Sequence, residues 1–238
     1  MNFKLKELHR RSHGNKTLLQ VAMLSIASGI SIGAIAADSA TEIQEISVFG
    51  RGETRQVQSL NAEQLTQFPA GTSPLKAIEK LPGVNFQSAD PYGAYEWSTR
   101  IVVRGFNQNQ MGFTLDGVPL GDMSYANHNG LHISRAIMSE NIGRVSLSQG
   151  AGALATASTS NLGGTLEFAS AAPSETFGVM TNATVGSDGA QRLFLRADSG
   201  ELSSGTRMFL SVANQETDKW KGSGAQEQEF VNFKLVQS

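Results

Sequence analysis

Residues 81–119 carry the sequence LPGVNFQSADPYGAYEWSTRIVVRGFNQNQMGFTLDGVP, and this stretch decides the fold class of the chain. Its apolar residues fall into three short runs. Val84–Phe86 alternates as a strand, and Arg100–Gly105 and Met111–Leu115 follow as two more. The last run leads into Asp116-Gly117, a dipeptide typical of hairpin turns. Short strands joined by glycine-rich turns predict a small sheet.

Two short helices are predicted ahead of these strands. Asn61 can cap a helix over residues 62–65, and Ser73 can cap a second helix with Pro74 at its first position. Pro82-Gly83 ends the second helix. Two further strands are predicted behind the hairpin, at Arg144–Leu147 and Gly164–Phe168. Together these elements predict a small α+β domain, a mixed sheet with short helices, over residues 57–172, an ordinary size for one domain.

Five short motifs follow one another through this domain. They are Leu81-Pro82-Gly83-Val84, Val103-Arg104-Gly105-Phe106, Leu115-Asp116-Gly117-Val118-Pro119, Ile142-Gly143-Arg144-Val145 and Leu162-Gly163-Gly164-Thr165-Leu166. In this order and spacing they resemble the plug domain of TonB-dependent outer-membrane receptors, and the similarity covers about Glu45 to Ser170. The resemblance implies a plug that fills the lumen of a β-barrel and gates the passage of a ligand.

The resemblance also implies contacts between plug and barrel through Arg104 and Arg144. Arg104 is expected to be a buried cation that pairs with carboxylates on the inner barrel wall, since the apolar run Ile101–Val103 precedes it. The chain departs from the family where Glu-Val-Leu-Arg-Gly is usual, because it has Ser146 and Gln149 in place of the glutamate and the arginine. Two members of the usual charge network are therefore missing.

Behind Pro173 the pattern changes to amphipathic strands, in which apolar side chains alternate with polar or small ones. Such strands are predicted around Phe177–Val185, Arg192–Asp198, Met208–Val212 and Val231–Leu235. The alternation is typical of a transmembrane β-barrel, with one face towards lipid and the other towards the lumen. Four strands cannot close a barrel, so residues 173–238 are expected to be its first strands in a truncated transporter. The connection around Gln215–Gln226 is predicted to be longer than the one at Ser187-Asp188-Gly189, which fits a loop on the outer face.

The N-terminus has the pattern of a secretory signal peptide, predicted over residues 1–36. A basic leader precedes an uncharged stretch from Thr17 to Ala37, and Ala34-Ile35-Ala36 offers the small-x-small site that a leader peptidase needs. A transmembrane anchor is the alternative, because the stretch is almost long enough to span a bilayer. Its glycines, serines and Ala-rich end favour cleavage, and hence export towards the outer membrane of a Gram-negative bacterium.

A brief β-prone segment, Glu45–Gly50, lies within the predicted N-terminal segment 37–56. Taken alone, it could join a sheet of its own fold or pair with the edge strand of a sheet in another protein. It occupies the place where the family carries its TonB box. The resemblance therefore implies that five residues pair with TonB of the inner-membrane energising complex: Glu45, Ile46, Ser47, Val48 and Phe49.

Aromatic side chains are concentrated between Asp90 and Tyr125. This stretch holds all three tyrosines and one of the two tryptophans, and it corresponds to the outward loops of the plug. Aromatic side chains in polar loops favour stacking against a ligand, such as a sugar ring or an aromatic chelator. Packing of the plug against the barrel is the alternative. The candidate ligand-binding residues are Tyr92, Tyr95, Trp97 and Tyr125.

Composition argues against several other functions. Without the leader the chain keeps 14 basic and 20 acidic residues, a net charge of about −6, which disfavours a nucleic-acid partner. Cysteine is absent, which excludes disulfides and thiolate chemistry. His128 and His132 lie four apart near Asp122, but Asn129-Gly130 argues against the helical turn that such a metal site would need. No nucleophile–base pair or phosphate loop stands out, so neither an enzyme nor a cofactor is predicted.

Two functions from different classes remain open. The first is TonB-dependent uptake of a scarce, bulky ligand across the outer membrane, with lipid around the barrel and a siderophore, a metal complex or an oligosaccharide as cargo. The second is a non-transporting periplasmic module that uses a plug-like fold for interaction or signalling. A regulatory receptor of the family would carry an additional domain ahead of the TonB box. Only a short stretch behind the predicted cleavage site precedes Glu45 here, which favours uptake.

Overall fold

The computed structural model describes residues 57–90, 92–93, 95–123, 130–149, 156, 158, 160–219 and 222–237. The predicted signal peptide and the segment Glu45–Gly50 lie outside these ranges, as do Tyr125 and His128. Among the described residues, no helix is long and apolar enough to cross a membrane.

Both predicted helices form with the expected caps, but the second is shorter than predicted, because its α-helical part ends at Ala77 and a 3-10 turn follows. Asn61 caps helix α1, Ala62–Leu65, in a capping box: its side chain accepts the backbone N–H of Gln64, and the side chain of Gln64 accepts that of Asn61. Ser73 caps helix α2, Pro74–Ala77. The other helical elements are helix α3, Ile133–Ala136, and 3-10 turns at Ile78–Lys80, Glu96–Ser98, Gln108–Gln110 and Ser139–Asn141.

A five-stranded mixed sheet lies in residues 57–170, called the mixed-sheet module below. Its strands are β1 Val57–Asn61, β5 Gly112–Leu115, β6 Val118–Pro119, β7 Ile142–Ser148 and β8 Thr165–Ser170. Their order is β1-β7-β8-β5-β6, and only the β5–β8 pair is parallel. The predicted hairpin at Asp116-Gly117 is confirmed, because Leu115 pairs with Val118 across it.

A three-stranded antiparallel sheet completes the module, with β2 at Val84–Gln87, β3 at Arg100–Val103 and β4 at Phe106–Asn107. Strand β3 ends two residues earlier than predicted. Arg104 and Gly105 have positive φ angles of 50° and 87° and form the turn into β4 instead. Arg104, expected to be buried, is therefore exposed at a turn.

Both sheets and helix α2 share one apolar core. Large side chains that are almost completely buried form it, namely Leu75, Ile78, Ile101, Val103, Phe113, Leu147, Leu166 and Phe168. Burial stabilises each such side chain by about 1.5–3 kcal/mol relative to exposure. The core includes side chains of β2 and β3 and so fixes both ends of the segment that joins these strands. An α+β domain with few helices is confirmed.

The predicted amphipathic strands form a four-stranded antiparallel sheet. Its strands are β9 Phe177–Val185, β10 Gln191–Ser199, β11 Thr206–Asp218 and β12 Ala225–Gln237, in the order β12-β11-β10-β9. The register aligns Val179, Ala197, Leu210 and Phe233 across the sheet. Val179, Leu210 and Phe233 are each more than half exposed. One face is therefore apolar and uncovered, whereas residues on the other face, such as Phe194, are buried.

The connection predicted around Gln215–Gln226 is shorter than its predicted bounds. Strand β11 continues to Asp218 and β12 begins at Ala225, and these two residues pair with each other. The polar side chains there do not prevent pairing, because the ladder is built from backbone groups. The connection is therefore residues 219–224, little longer than residues 186–190 between β9 and β10. Both connections lie at the same end of the sheet.

Candidate functional site

The predicted aromatic residues Tyr92, Tyr95 and Trp97 lie in the segment between β2 and β3. The 3-10 turn Glu96–Ser98 presents Trp97, which is 53% exposed. Oδ1 of Asp90 accepts the backbone N–H of Tyr95 at 3.0 Å and so fixes the start of the turn. The ring centroids of Tyr95 and Trp97 are 6.2 Å apart, with the planes tilted by 30°. The two rings form a paired aromatic surface.

A cavity of about 360 Å³ lies between this segment and the two sheet connections. Tyr92 and Tyr95 line it from the module, and residues 186–188 and Lys219 line it from the sheet. Nζ of Lys219 is 5.9 Å from the ring centroid of Tyr95, at the outer limit of a cation–π contact. The charged residues that line the cavity are Lys76, Lys219, Asp90, Asp188 and Asp218.

A second, wider groove of about 610 Å³ adjoins the first at Tyr95, which lines both. Trp97, Glu96 and Arg135 line this groove together with residues 225–230 of β12. Three of the four predicted ligand-binding residues therefore border the space between the module and one end of the sheet. The fourth, Tyr125, lies outside the described residues.

His132 has a structural role at the start of helix α3. Among the described residues, no group of three or more metal-ligating side chains could hold an ion. His132 instead caps helix α3, because its Nδ1 accepts the backbone N–H of Ser134 at 3.2 Å. Burial lowers the pKa of His132 to about 4, while Glu96 opposes the shift and Arg135 adds to it. The imidazole is therefore neutral near pH 7.

The module contacts the polar face of the four-stranded sheet through Met138–Asn141, called the docking segment below. The side chain of Met138 packs against Phe194 and Ala213, with Phe230 at the edge of the cluster. The backbone N–H of Met138 donates to Oδ1 of Asn232 at 3.1 Å. A single apolar side chain, bordered by polar contacts, thus sets the position of the segment on the sheet.

Asn141 is completely buried and bonds to three strands of the sheet. Its Nδ2 donates to Oγ of Ser211 at 2.7 Å and to Oδ1 of Asn232 at 3.1 Å. Its Oδ1 accepts from Nη1 of Arg196 at 3.4 Å. Asp198 holds Arg196 in place through two hydrogen bonds of 2.7 and 2.8 Å. All these polar groups are satisfied, as a buried network requires.

Glu140 forms a two-pronged ion pair with Arg192 of β10. One carboxylate oxygen accepts from Nη1 and the other from Nη2, the latter at 2.8 Å. The two side chains are only 8% and 7% exposed. The carboxylate belongs to the module and the cation to the sheet, the reverse of the arrangement that the resemblance implies for Arg104. The ion pair thus occurs at a different place from the missing Glu and Arg of the family pattern.

The other two predicted contact residues lie elsewhere. Arg104 and Arg144 are both exposed, and in the described part of the chain neither forms an ion pair with the four-stranded sheet. Their contact with a barrel wall stays a prediction. The sequence patterns did not predict four residues at the contact between module and sheet: Glu140, Asn141, Arg192 and Arg196. A signal for the two arginines was available, because the alternation of β10 places both on the face opposite Leu193 and Leu195.

Comparison with known proteins places these features in a family. Residues 50–165 match the family model described as the TonB-dependent receptor plug domain. No curated protein matches the chain. One similar solved structure is the Pseudomonas aeruginosa receptor FpvA in an iron complex with a heterologous pyoverdine. It shares 22% identity at a TM-score of 0.61, over 78% of this chain and 23% of that one.

Two further structures agree in fold. The ferric citrate transporter FecA, in its unliganded form, shares 17% identity at a TM-score of 0.57, over 75% of this chain and 28% of that one. The ferric yersiniabactin uptake receptor FyuA from Yersinia pestis shares 19% identity at a TM-score of 0.51, with the same coverage. The chain thus spans about a quarter of the length of each structure. Residues 50–165 are thus those of a TonB-dependent receptor plug domain, and the strands behind them match the corresponding part of these receptors in fold.

Proposed function

We propose that the chain belongs to an outer-membrane receptor that takes up a ferric siderophore complex with energy delivered by TonB. The docking of the plug on the polar face of an amphipathic sheet carries the proposal. The sheet has one apolar, uncovered face and one polar face that the plug covers. This is the arrangement expected of a barrel wall between lipid and a lumen that the plug fills. The proposed parts are a signal peptide (1–36), a segment with the TonB box (37–56), the plug (57–172) and the first barrel strands (173–238).

The nature of the cargo is proposed from the two cavities and from the names of the similar receptors. Those names refer to pyoverdine with iron, ferric citrate and ferric yersiniabactin. Tyr92, Tyr95 and Trp97 offer faces on which a chelator can stack. Two lysines and three aspartates also line the first cavity, so its charge does not by itself select an anionic cargo. The names of the similar receptors favour an iron chelate over a neutral oligosaccharide.

Uptake of radioactive iron tests the proposed function. Cells that depend on this receptor for iron would receive pyoverdine–iron, ferric citrate or ferric yersiniabactin, with and without TonB. We expect saturable uptake of one complex, and only when TonB is present. Uptake of none of the three, or equal uptake without TonB, would contradict the proposal.

The alternative, a non-transporting periplasmic module, is not favoured. It gives no role to the row of exposed apolar side chains on the sheet, of which Val231 and Phe233 are 70% and 61% exposed. A soluble protein rarely leaves so extended an apolar face open to water. Lipid is the environment that suits it, which supports a location in the outer membrane.

The proposed signal peptide predicts the N-terminus of the mature protein. Cleavage at Ala34-Ile35-Ala36 should leave Ala37 or Asp38 as the first residue. N-terminal sequencing of the protein from an outer-membrane fraction would measure this. An intact Met1 on protein recovered from the inner membrane would contradict export and favour the anchor.

Replacing Trp97 by alanine should weaken binding of the transported ferric complex several-fold. A stacking contact contributes roughly 0.5–1.5 kcal/mol beyond the area it buries, which corresponds to about a 2- to 12-fold change in Kd. Because Trp97 is half exposed, the folded amount should not change. Trp97→Phe, which keeps an aromatic face, is the matched control and should retain most of the affinity. Equal affinity of Trp97→Ala and the unaltered receptor would favour the packing interpretation.

A further inference from the structure

We propose that His132 is a positioning residue of the ligand site, which acts through Thr99 to hold the turn bearing Trp97 in its binding orientation. The inference rests on the proposed function, because it takes Trp97 to be a contact of the cargo. His132 belongs to the cap of helix α3 and lies 33 positions further along the chain than Thr99. It thus joins two separate parts of the plug.

The contact between His132 and Thr99 assigns the imidazole proton. Nε2 of His132 and Oγ1 of Thr99 are 3.0 Å apart and buried. The Thr99 hydroxyl donates its single hydrogen to the backbone oxygen of Glu96 at 3.0 Å, so it can only accept from His132. Nε2 therefore carries the proton and donates it to Thr99.

The other ring nitrogen agrees with this assignment. Nδ1 of His132 accepts the backbone N–H of Ser134 and lies 2.6 Å from its hydroxyl oxygen, which can donate as well. A neutral imidazole with its hydrogen on Nε2 satisfies both sides, and burial keeps the ring neutral. One buried ring therefore links the cap of α3 to the end of the turn that presents Trp97.

A second contact ties the same helix to the same turn. Nε of Arg135 donates to Oε2 of Glu96 at 2.7 Å, and Oε1 of Glu96 accepts from the indole Nε1 of Trp97 at 2.5 Å. Arg135 is 56% exposed, so this pair adds little to folding stability. Its effect is orientational, since it restricts the carboxylate that holds the indole.

Orientation matters at this position because Trp97 is not buried. A half-exposed side chain can adopt several rotamers, and binding has to overcome the entropy of fixing one. A turn held at Thr99 and Glu96 has fewer conformations to lose. The contact with His132 should therefore raise cargo affinity although His132 lines neither cavity.

Three variants separate the contact from the helix cap. His132→Asn keeps a good capping residue but is too short to reach Thr99. Thr99→Val removes the hydroxyl and keeps the shape, whereas Thr99→Ser keeps the hydroxyl and serves as the matched control. The readout is amide hydrogen exchange of residues 95–99 in the intact receptor without cargo. Within this turn, the N–H groups of Ser98 and Thr99 donate to Tyr95 and Glu96.

We expect exchange of residues 95–99 to become roughly two- to tenfold faster in His132→Asn, as the loss of one hydrogen bond predicts. Exchange in Thr99→Val should be at least as fast, because this variant also loses the hydrogen bond from the Thr99 hydroxyl to Glu96. The double variant should be no faster than Thr99→Val, because that variant has already lost the contact with His132. Thr99→Ser should resemble the unaltered protein. Unchanged exchange in β7 and β8 would show that each variant is folded.

Cargo binding separates failure of this inference from failure of the proposed function. Pyoverdine–iron, ferric citrate and ferric yersiniabactin are the probes, and the transported one is used. Faster exchange with weaker binding in His132→Asn supports the inference. Unchanged exchange overturns it, and so does unchanged binding in His132→Asn when Trp97→Ala weakens binding. If neither Trp97→Ala nor His132→Asn affects binding, the cargo contact itself is overturned, and the positioning role with it.

Discussion

Uptake is expected to be lost completely when Val48 is replaced by proline, while binding of the ferric complex to the cells persists. In the proposed function Glu45–Gly50 pairs edge-on with a strand of TonB, so its affinity comes largely from main-chain hydrogen bonds. Proline removes one N–H donor and fixes φ, which a paired strand accepts poorly. The measurement compares uptake of radioactive iron by energised cells with binding of the same complex to de-energised cells.

Ser47→Ala is the matched control for this variant. It alters a neighbouring side chain but leaves every backbone donor in place, so uptake should stay near that of the unaltered receptor. If Val48→Pro and Ser47→Ala transported equally well, the segment would not be the coupling strand. Loss of binding as well as uptake in Val48→Pro would instead indicate that residue 48 belongs to the fold of the plug.

The second large effect is expected at the ion pair between Glu140 and Arg192. Replacing either residue by methionine leaves the other charge buried without its partner, at a cost of about 3–5 kcal/mol. The unfolding temperature of the plug should fall by about 6–20 °C, given ~2–4 °C per kcal/mol for a chain of this size. Calorimetry of the receptor in detergent micelles would measure the change.

The double variant, Glu140→Met with Arg192→Met, should regain most of the lost stability, because no unpaired charge remains. Arg207→Met provides the matched control on the same sheet. Its ion pair with Glu175 has a 78% exposed carboxylate, so the expected loss is below about 1 kcal/mol. Equal effects of Arg192→Met and Arg207→Met, or a double variant as unstable as the single ones, would contradict the role of the buried pair.

Local signals explain the parts of the fold that sequence predicts well. The caps at Asn61 and Ser73 and the turn at Asp116-Gly117 depend on neighbouring residues only, and all three form as predicted. The alternation in the last third of the chain likewise predicts the two faces of the four-stranded sheet. Strand β1 has no counterpart among the predicted strands. It is an edge strand with only Val57 and Leu60 apolar, so it lacks a period-two pattern.

The contacts of the site depend on residues far apart in sequence, and this limits prediction. Aromatic clustering identified Tyr92, Tyr95 and Trp97, which the structure brings to the cavities. The pairing of Glu140 with Arg192 spans 52 positions, and that of His132 with Thr99 spans 33. No local pattern specifies such partners. The polarity of Gln215–Asp218 was misleading for a related reason, because neighbouring strands, and not side-chain polarity, keep that segment extended.

The position of β1 at the edge of its sheet has a mechanical consequence. Tension applied to the chain ahead of Val57 is borne first, among the described residues, by the five-residue ladder between β1 and β7. No residue of β1 is fully buried, and Leu60 is its only side chain that packs against the core. Detaching the strand therefore exposes little apolar surface. The hydrogen bonds between β7 and β8 and between β8 and β5 do not involve β1, so detaching β1 does not require breaking them. A pull on the chain ahead of β1 can therefore detach this strand while the rest of the sheet keeps its pairing.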